Sequence, residues 1–438
     1  MHLNFIDLFA GIGGIRLGLQ QACQAAGHTC SCVFSSEIKP AAVSVLQQNY
    51  PNERVHGDIT AIASRDIPDF DILCAGFPCQ AFSVAGSRRG FADTRGTLFF
   101  EVERILAAKR PRGFILENVE GLVTHDGGRT LQIILAHLQE IGYSVTYRVL
   151  NARHFGVPQD RRRIYIVGSF GGCINLDAFA VEESTLQEVL SQGLPTMQTP
   201  FTELLLSKYS ASELYGKAIK DKRGGENNIH SWDIGVKGET TEEERELLNM
   251  LLTERRKKQW AEEYGIDWMD GMPLTRCMIA TFYRKDNLDA MLSRLTEMGY
   301  LVREHPKRRV MVTHGQGIRT AQRVSDPALP LGYNIVAGKL SFEVSKILDP
   351  STVAPTLVAT DVGRLAVVDG AGLRRLTLRE GLRLFGFPEE YRFDVPEREG
   401  FDLLGNTVVV PVVREVCKRL VAHAVASREV LDGCLAAR

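Results

Sequence analysis

No apolar run in the chain approaches the ~18 to 20 residues that cross a bilayer, and a strand-like segment begins within the first residues. Neither a membrane span nor a signal peptide is therefore expected. Net charge is nearly absent: 52 Lys and Arg against 53 Asp and Glu leave −1. This excludes a uniformly basic protein and confines any polyanion-binding surface to a local patch whose binding is salt-sensitive. The nine cysteines are odd in number and scattered, and Cys30-x-Cys32 lacks a second pair. Neither a disulfide framework nor a structural zinc is expected, and the free thiols point to a reducing cytoplasm. No internal repeat or low-complexity tract occurs. What the chain does have is core-forming material: 438 residues at 44% hydrophobic content can hold two domains.

The run Leu3-Asn4-Phe5-Ile6-Asp7-Leu8-Phe9 reads as a buried strand. It enters Ala10-Gly11-Ile12-Gly13-Gly14 and then a helix-like stretch to about Ala26. Strand, glycine turn and helix in that order suit a nucleotide-type ligand lying against the backbone. Arg16 stands where G-x-G-x-x-G requires its last glycine, which disfavours a dinucleotide. Tight turns also use glycine without any ligand, so the functional weight rests on two carboxylates. Glu37, after strand-like Thr29 to Phe34, is placed to accept from both ribose hydroxyls, and Asp58, after a third segment, to hold an adenine amino group.

A further strand-like segment, Asp71-Ile72-Leu73-Cys74-Ala75, delivers Gly76-Phe77-Pro78-Cys79-Gln80 to the mouth of the sheet, where Cys79 is the candidate nucleophile. Another, Arg112-Gly113-Phe114-Ile115-Leu116, carries Glu117-Asn118-Val119 to the carboxyl edge of an open parallel sheet, where ligands bind. Glu117 and Cys79 then face one crevice. Gln159-Asp160-Arg161-Arg162-Arg163 feeds the strand Ile164-Tyr165-Ile166-Val167. Such a cluster is most often a solvated basic face, but Arg161 and Arg163 share one side of an extended segment, so one or both can turn into the crevice.

Together these residues resemble the C5-cytosine DNA methyltransferases of bacterial restriction-modification systems. Phe5 to Gly14 is similar to the family's cofactor motif, Gly76-Phe77-Pro78-Cys79-Gln80-Ala81-Phe82-Ser83 to its catalytic loop, and Glu117-Asn118-Val119 to its acid motif. Gln159-x-Arg161-x-Arg163, Arg375 to Glu380 with Gly386-Phe387-Pro388, and Leu404-Gly405-Asn406-Thr407-Val408-Val409 complete an ordered set. The resemblance implies an α/β fold: a Rossmann-like S-adenosylmethionine-dependent catalytic domain at 1–173 plus 401–438, interrupted by a target-recognition region at 174–400. It implies that Cys79 adds to C6 of a cytosine flipped out of duplex DNA, with Glu117 acting at N3 and Arg161 and Arg163 beside the ring. S-adenosylmethionine is expected against Phe9, Gly11, Ile12, Gly13, Glu37, Ile38, Asp58, Ile59, Pro78, Leu98, Asn406 and Thr407. Ile38 replaces the family's frequent aromatic, and Thr407 its frequent serine.

DNA contacts are expected from Ser83, Arg88, Arg89 and Arg95 in the loop Gln80 to Gly96, whose glycines suit closure over the base, and from Gln159 and Thr356. A cognate restriction endonuclease on a separate chain, monomeric action and a bacterial cytoplasmic location also follow from the resemblance. A tRNA cytosine methyltransferase would share these motifs, but its recognition region is compact; a regulator without activity would have lost the cysteine or the cofactor motif.

The middle of the chain is less legible. Val353 to Val358 is strand-like and carries Pro355-Thr356-Leu357, similar to a short family signature. Basic residues gather at Lys217 to Arg223, Arg255 to Lys258 and Arg303 to Arg309. Thr241 to Tyr264 and Asn287 to Met298 read as amphipathic helices and Gly299 to Arg303 as a strand. That order suggests a winged-helix-like insertion at 240–312, with Arg255 to Lys258 on phosphates.

Overall fold

The computed structural model describes residues 1–77, 98–221, 224–313, 319–336, 342–358 and 362–436. The described chain forms two compact units, one of residues 1–191, 350–363 and 376–438 and the other of 192–349 and 364–375. None of its helices is long and apolar enough to cross a membrane.

The first unit is built on seven strands: β1 (His2–Leu8), β2 (Thr29–Ser36), β3 (Val55–His56), β4 (Ile72–Gly76), β5 (Gly113–Val119), β6 (Ser144–Asn151) and β7 (Arg162–Ser169). They lie in the order β3-β2-β1-β4-β5-β7-β6. β1 to β5 are parallel and β7 runs antiparallel to both of its neighbours. This is the Rossmann-like methyltransferase arrangement, and its order reverses direction at β1 and β4, the point where an open sheet leaves a crevice beyond its carboxyl edge. The central strands β1, β4, β5 and β7 are largely buried because both faces are covered. Helices α3 (Leu98–Lys109) and α4 (Arg129–Glu140) close one side with Phe99, Ile105, Leu131 and Leu138 against Leu8, Leu73, Phe114 and Ile166.

On the other side, α1 (Gly14–Ala25) packs against the helix Val410–Ala436. Their approach needs Gly18, because a Cβ there would lie 2.6 Å from the side chain of Val413. The turn into α1 is equally constrained, with Phe9, Gly11 and Gly13 all at positive φ (54°, 55° and 75°). The segment before the last helix docks on α2 (Pro40–Asn49), where Asn49 exchanges hydrogen bonds with Arg392 and Gln48 with Asp394.

The compact units divide at other places than 173/174 and 400/401. Residues 174–191, 350–363 and 376–400 belong with the sheet, held by Leu186 N–H on Thr352, Ser191 N–H on the Glu380 carboxylate and the Tyr391 hydroxyl on the Ile12 carbonyl. Val353 to Val358 is not a strand; Ala354 makes a single bridge to Gln159.

In the second unit a five-stranded sheet from residues 218–229 and 346–375 has its own core, and a helical cluster has another. The cluster holds helices Glu242–Glu254, Gln259–Glu263, Arg276–Phe282 and Leu288–Glu297, followed by strands Leu301–Glu304 and Gly332–Ile335 paired antiparallel. The expected helix Thr241 to Tyr264 is broken. Arg255 turns into the core, buried, and donates to Asn334 Oδ1 at 2.7 Å. Its neighbours are also occupied: Arg256 pairs with Asp270 and Lys257 with Glu254. Arg255 is thus a structural corner, while Lys257 and Lys258 stay exposed beside it.

Candidate active site

The carboxyl edge of β1, β2, β4 and β5 opens into a cleft of about 810 Å³, lined by Phe9, Gly11, Glu37, Ile38, Asp58 and Ile59 at one end and Glu117, Arg161 and Arg163 at the other. Gly76, Phe77, Leu98, Leu403, Asn406 and Thr407 join the two ends. The size suits a small-molecule ligand.

At the first end, the Glu37 carboxylate accepts backbone N–H bonds from Gly11 (2.7 Å), Ile38 (2.9 Å) and Lys39 (2.8 Å). A carboxylate offers about four acceptor positions, so one remains on Oε2. Glu37 can take one ribose hydroxyl as it stands and a second only by displacing the Gly11 N–H. Beside it, Ile38 is 73% exposed, an apolar side chain left open on a cleft wall. Phe9 adopts a backbone conformation rare for a side chain of its size, strain that is found at ligand sites. Asp58 uses one oxygen to cap the turn at Thr60 (2.9 Å). Lys39 pairs with Asp402, and Asn406 donates to the Asp402 carbonyl (2.8 Å), closing the wall that carries Leu403 to Thr407.

Ile12 and Gly13 do not line the cleft. The Ile12 side chain is buried and its carbonyl takes the Tyr391 hydroxyl, while the Gly13 N–H bonds Ala10 (2.8 Å). They hold the turn that presents Gly11.

At the second end, Glu117 on β5 lies in register with Gly76 on β4 and is ion-paired with Arg163, Nε to Oε1 3.2 Å. Burial raises the Glu117 pKa, and the charges of Arg163 and Arg161 work against that rise. A Cβ on Gly76 would sit 3.6 Å from Glu117 Oε2, so the backbone that leads toward Cys79 passes directly beside the carboxyl group. Asn118, which sequence reasoning did not single out, is buried and donates to the Phe77 carbonyl at 3.0 Å. Its place inside Glu117-Asn118-Val119 was the available signal.

Arg161 differs from its neighbour. It is buried at 2% exposure, and its guanidinium donates to the carbonyls of Leu357 (3.0 Å), Gly405 (3.0 Å) and Thr407 (2.7 Å). It ties two chain segments together at the wall of the cleft. Gln159 is fully buried, donating to Leu384 (2.9 Å) and accepting from Leu357 N–H (3.4 Å), so its side chain does not reach DNA. The Thr356 hydroxyl donates to the Asp160 carbonyl at 2.6 Å. Pro78, Cys79, Ser83, Arg88, Arg89 and Arg95 lie outside the described residues, as does the loop Gln80 to Gly96.

The family profile of C-5 cytosine-specific DNA methylases matches residues 3–422. The chain is 59% identical over 426 residues to Type II methyltransferase M.NlaIV of Neisseria lactamica, covering 96% of this chain and 99% of that one. It is 40% identical over 447 residues to Type II methyltransferase M.BanI of Aneurinibacillus aneurinilyticus, covering 96% of each. Among solved structures it superposes on Entamoeba histolytica methyltransferase EhMeth with a TM-score of 0.51 at 14% identity, covering 98% of this chain and 99% of that one. With S. pombe Dnmt2 methyltransferase the TM-score is 0.51 at 15% identity, covering 97% and 99%; at such identities the likeness is one of fold.

Proposed function

The chain belongs to the C-5 cytosine-specific DNA methylases, and we propose that its chemistry is divided among Cys79, Glu117 and Arg163. It is a sequence-specific DNA (cytosine-5-)-methyltransferase of the Type II restriction-modification kind.

Cytosine C5 is a weak nucleophile, and C6 is shielded within stacked DNA, so the target base must leave the helix. The Cys79 thiolate then forms a bond to C6. The C5–C6 π pair moves onto C5 and is shared through the ring toward N3 and O2. A carboxyl group that holds its proton can hydrogen-bond N3 or protonate it as this charge develops, the state that burial favours at Glu117. Arg163, 3.2 Å from Glu117, supplies a fixed cation for the O2 edge. When bound, S-adenosylmethionine provides a methyl group made electrophilic by its sulfonium. Once C5 carries the methyl, loss of its proton, with water as base, returns a pair to the C5–C6 bond and expels the thiolate.

The cleft fits that cofactor. Glu37 can bind the ribose, the faces of Phe9 and Ile38 with Ile59 in the wall can enclose an adenine ring, and Asp58 keeps an oxygen for its amino group. Leu98, Asn406 and Thr407 line the remaining wall. We assign catalysis to the first unit and target recognition to the second. Double-stranded DNA is the macromolecular partner; a restriction endonuclease of the same specificity, a monomeric state and the bacterial cytoplasm complete the proposal.

The observation that carries the residue assignment is the half-buried Glu117–Arg163 pair beside the backbone of Gly76. Sequence-resolved C5 methylation of duplex DNA containing all short sites tests it. Methylation of one short motif by the natural protein and its loss in Cys79→Ala are expected. Transfer to tRNA and not to DNA, by folded protein that binds S-adenosylmethionine, would overturn the DNA reading.

A further inference from the structure

Beyond the strands Leu301–Glu304 and Gly332–Ile335, the same two chain arms continue as a ribbon, Lys307–Thr313 paired with Arg319–Ser325 and, among the described residues, joined to no other strand. None of residues 307–312 or 320–325 is buried. A lone two-stranded ribbon open on both faces is marginal in water. This one stands because its base is anchored: Asp326 N–H bonds the Pro306 carbonyl at 2.9 Å, His305 meets the Leu329 carbonyl, and Tyr300, Leu301 and Ile335 enter the helical core.

The register sorts its side chains. Residues directly opposite share a face, so Lys307, Arg309, Met311, Ala321, Arg323 and Ser325 lie together. Arg309 is paired across the ladder with Arg323. Two like charges in that relation destabilise a ribbon, and among the described residues this face carries no acidic side chain to offset them. Arg323 donates to the Trp268 carbonyl at 2.7 Å, which orients it without neutralising it. The other face holds Val310, Val312 and Val324, and its Arg308 is paired with Asp326. Met311, at 62% exposure, adds an apolar contact at the outer end of the basic face.

The helix that precedes the ribbon does not share this character. On Leu288–Glu297, Asp289 pairs with Arg276, Arg294 is bound to Glu244, and Glu297 is exposed. In a winged helix that element would read DNA; here its outward face is acidic or already paired.

We propose that the ribbon, and not the helix, engages duplex DNA, its Lys307–Arg309–Arg323 face lying in the major groove. That groove admits a two-stranded ribbon, whereas the minor groove is half as wide. Phosphates or guanine edges supply anionic or acceptor partners to this face, where Arg323 holds only the neutral Trp268 carbonyl. The inference deepens the reading of the second unit as the target-recognition part and rests on DNA being the substrate.

The test is binding and methylation of duplex DNA by the full-length protein carrying Arg309→Ser with Arg323→Ser, compared with Arg308→Ser on the opposite face. The double variant is expected to bind DNA at least tenfold more weakly, to retain S-adenosylmethionine binding and its melting temperature, and to lower the slope of log K against log salt by about 2. Relaxed site choice at one base pair would place an arginine on a base edge and supports the proposal equally. Arg308→Ser should remain within about twofold. If the natural protein methylates DNA and the double variant binds it as tightly, the proposal falls, as it does if only self-association changes. If the natural protein methylates no DNA, the functional reading fails first.

Discussion

Glu117 and Arg163 form a pair in which each group serves the other's task. Burial raises the pKa of the Glu117 carboxyl and the guanidinium limits how far that effect goes. Glu117→Gln keeps a hydrogen-bond donor but cannot transfer a proton; we expect single-turnover methylation to fall by about 10² to 10⁴ while the dissociation constant for S-adenosylmethionine is unchanged. The two arginines should separate cleanly. Arg161→Met strands three carbonyls, so an equilibrium unfolding series should show a loss of about 2 to 4 kcal/mol. Arg163→Met should unfold as the natural protein does yet lose about 10² in rate; equal stability losses for both would refute the division. Asp7 offers a third measurement. It is fully buried on β1 with neither oxygen hydrogen-bonded, and burial pushes its pKa from 3.8 up to about 8, with Arg16 opposing. The folded protein holds a proton that the unfolded chain releases, so this group's contribution to stability is greatest below 3.8 and declines as pH rises toward 8. Asp7→Asn should remove that decline, and denaturation midpoints at pH 5 and pH 8 that move in parallel for both proteins would contradict it.

Strands β1, β2, β4, β5 and β7 and the turn into α1 were legible because their signals are local. An apolar run such as Phe5 to Leu8 and the glycines after it define a strand and a turn without help from distant residues. What was not legible depends on partners far away in sequence. Nothing near Arg161 indicates that it will meet carbonyls at 357, 405 and 407, and Gln159 is next to basic residues yet entirely enclosed. The break at Arg255 likewise comes from Asn334, on a strand that returns much later. Asn118 shows the same limit at the start of the catalytic loop, since its bond to Phe77 crosses from one strand to the next. Asn118→Ala would free the Phe77 carbonyl two residues before Cys79. Methyl transfer should slow by at least tenfold with cofactor affinity retained, and rates equal to the natural protein would show that the loop's root is held by other means. At the helix pair, Gly18→Val should cost about 1 to 3 kcal/mol, read as a lower melting temperature, because its branches would collide with Val413.

At the scale of the molecule, the near-zero net charge means that attraction to DNA comes from where the cations stand and not from their number. The ribbon face concentrates Lys307, Arg309 and Arg323 within one short ladder. The first unit also has an order in time. The turn carrying Gly11 is buttressed by Tyr391, α1 is covered by the helix starting at Val410, and Leu403 to Thr407 form part of the cleft wall. A chain emerging from the ribosome therefore exposes Cys79 and Glu117 long before it can build the pocket that would arm them. Such a protein cannot complete its cleft until its synthesis is nearly finished, and a product cut short by a premature stop before residue 391 is expected to be inert.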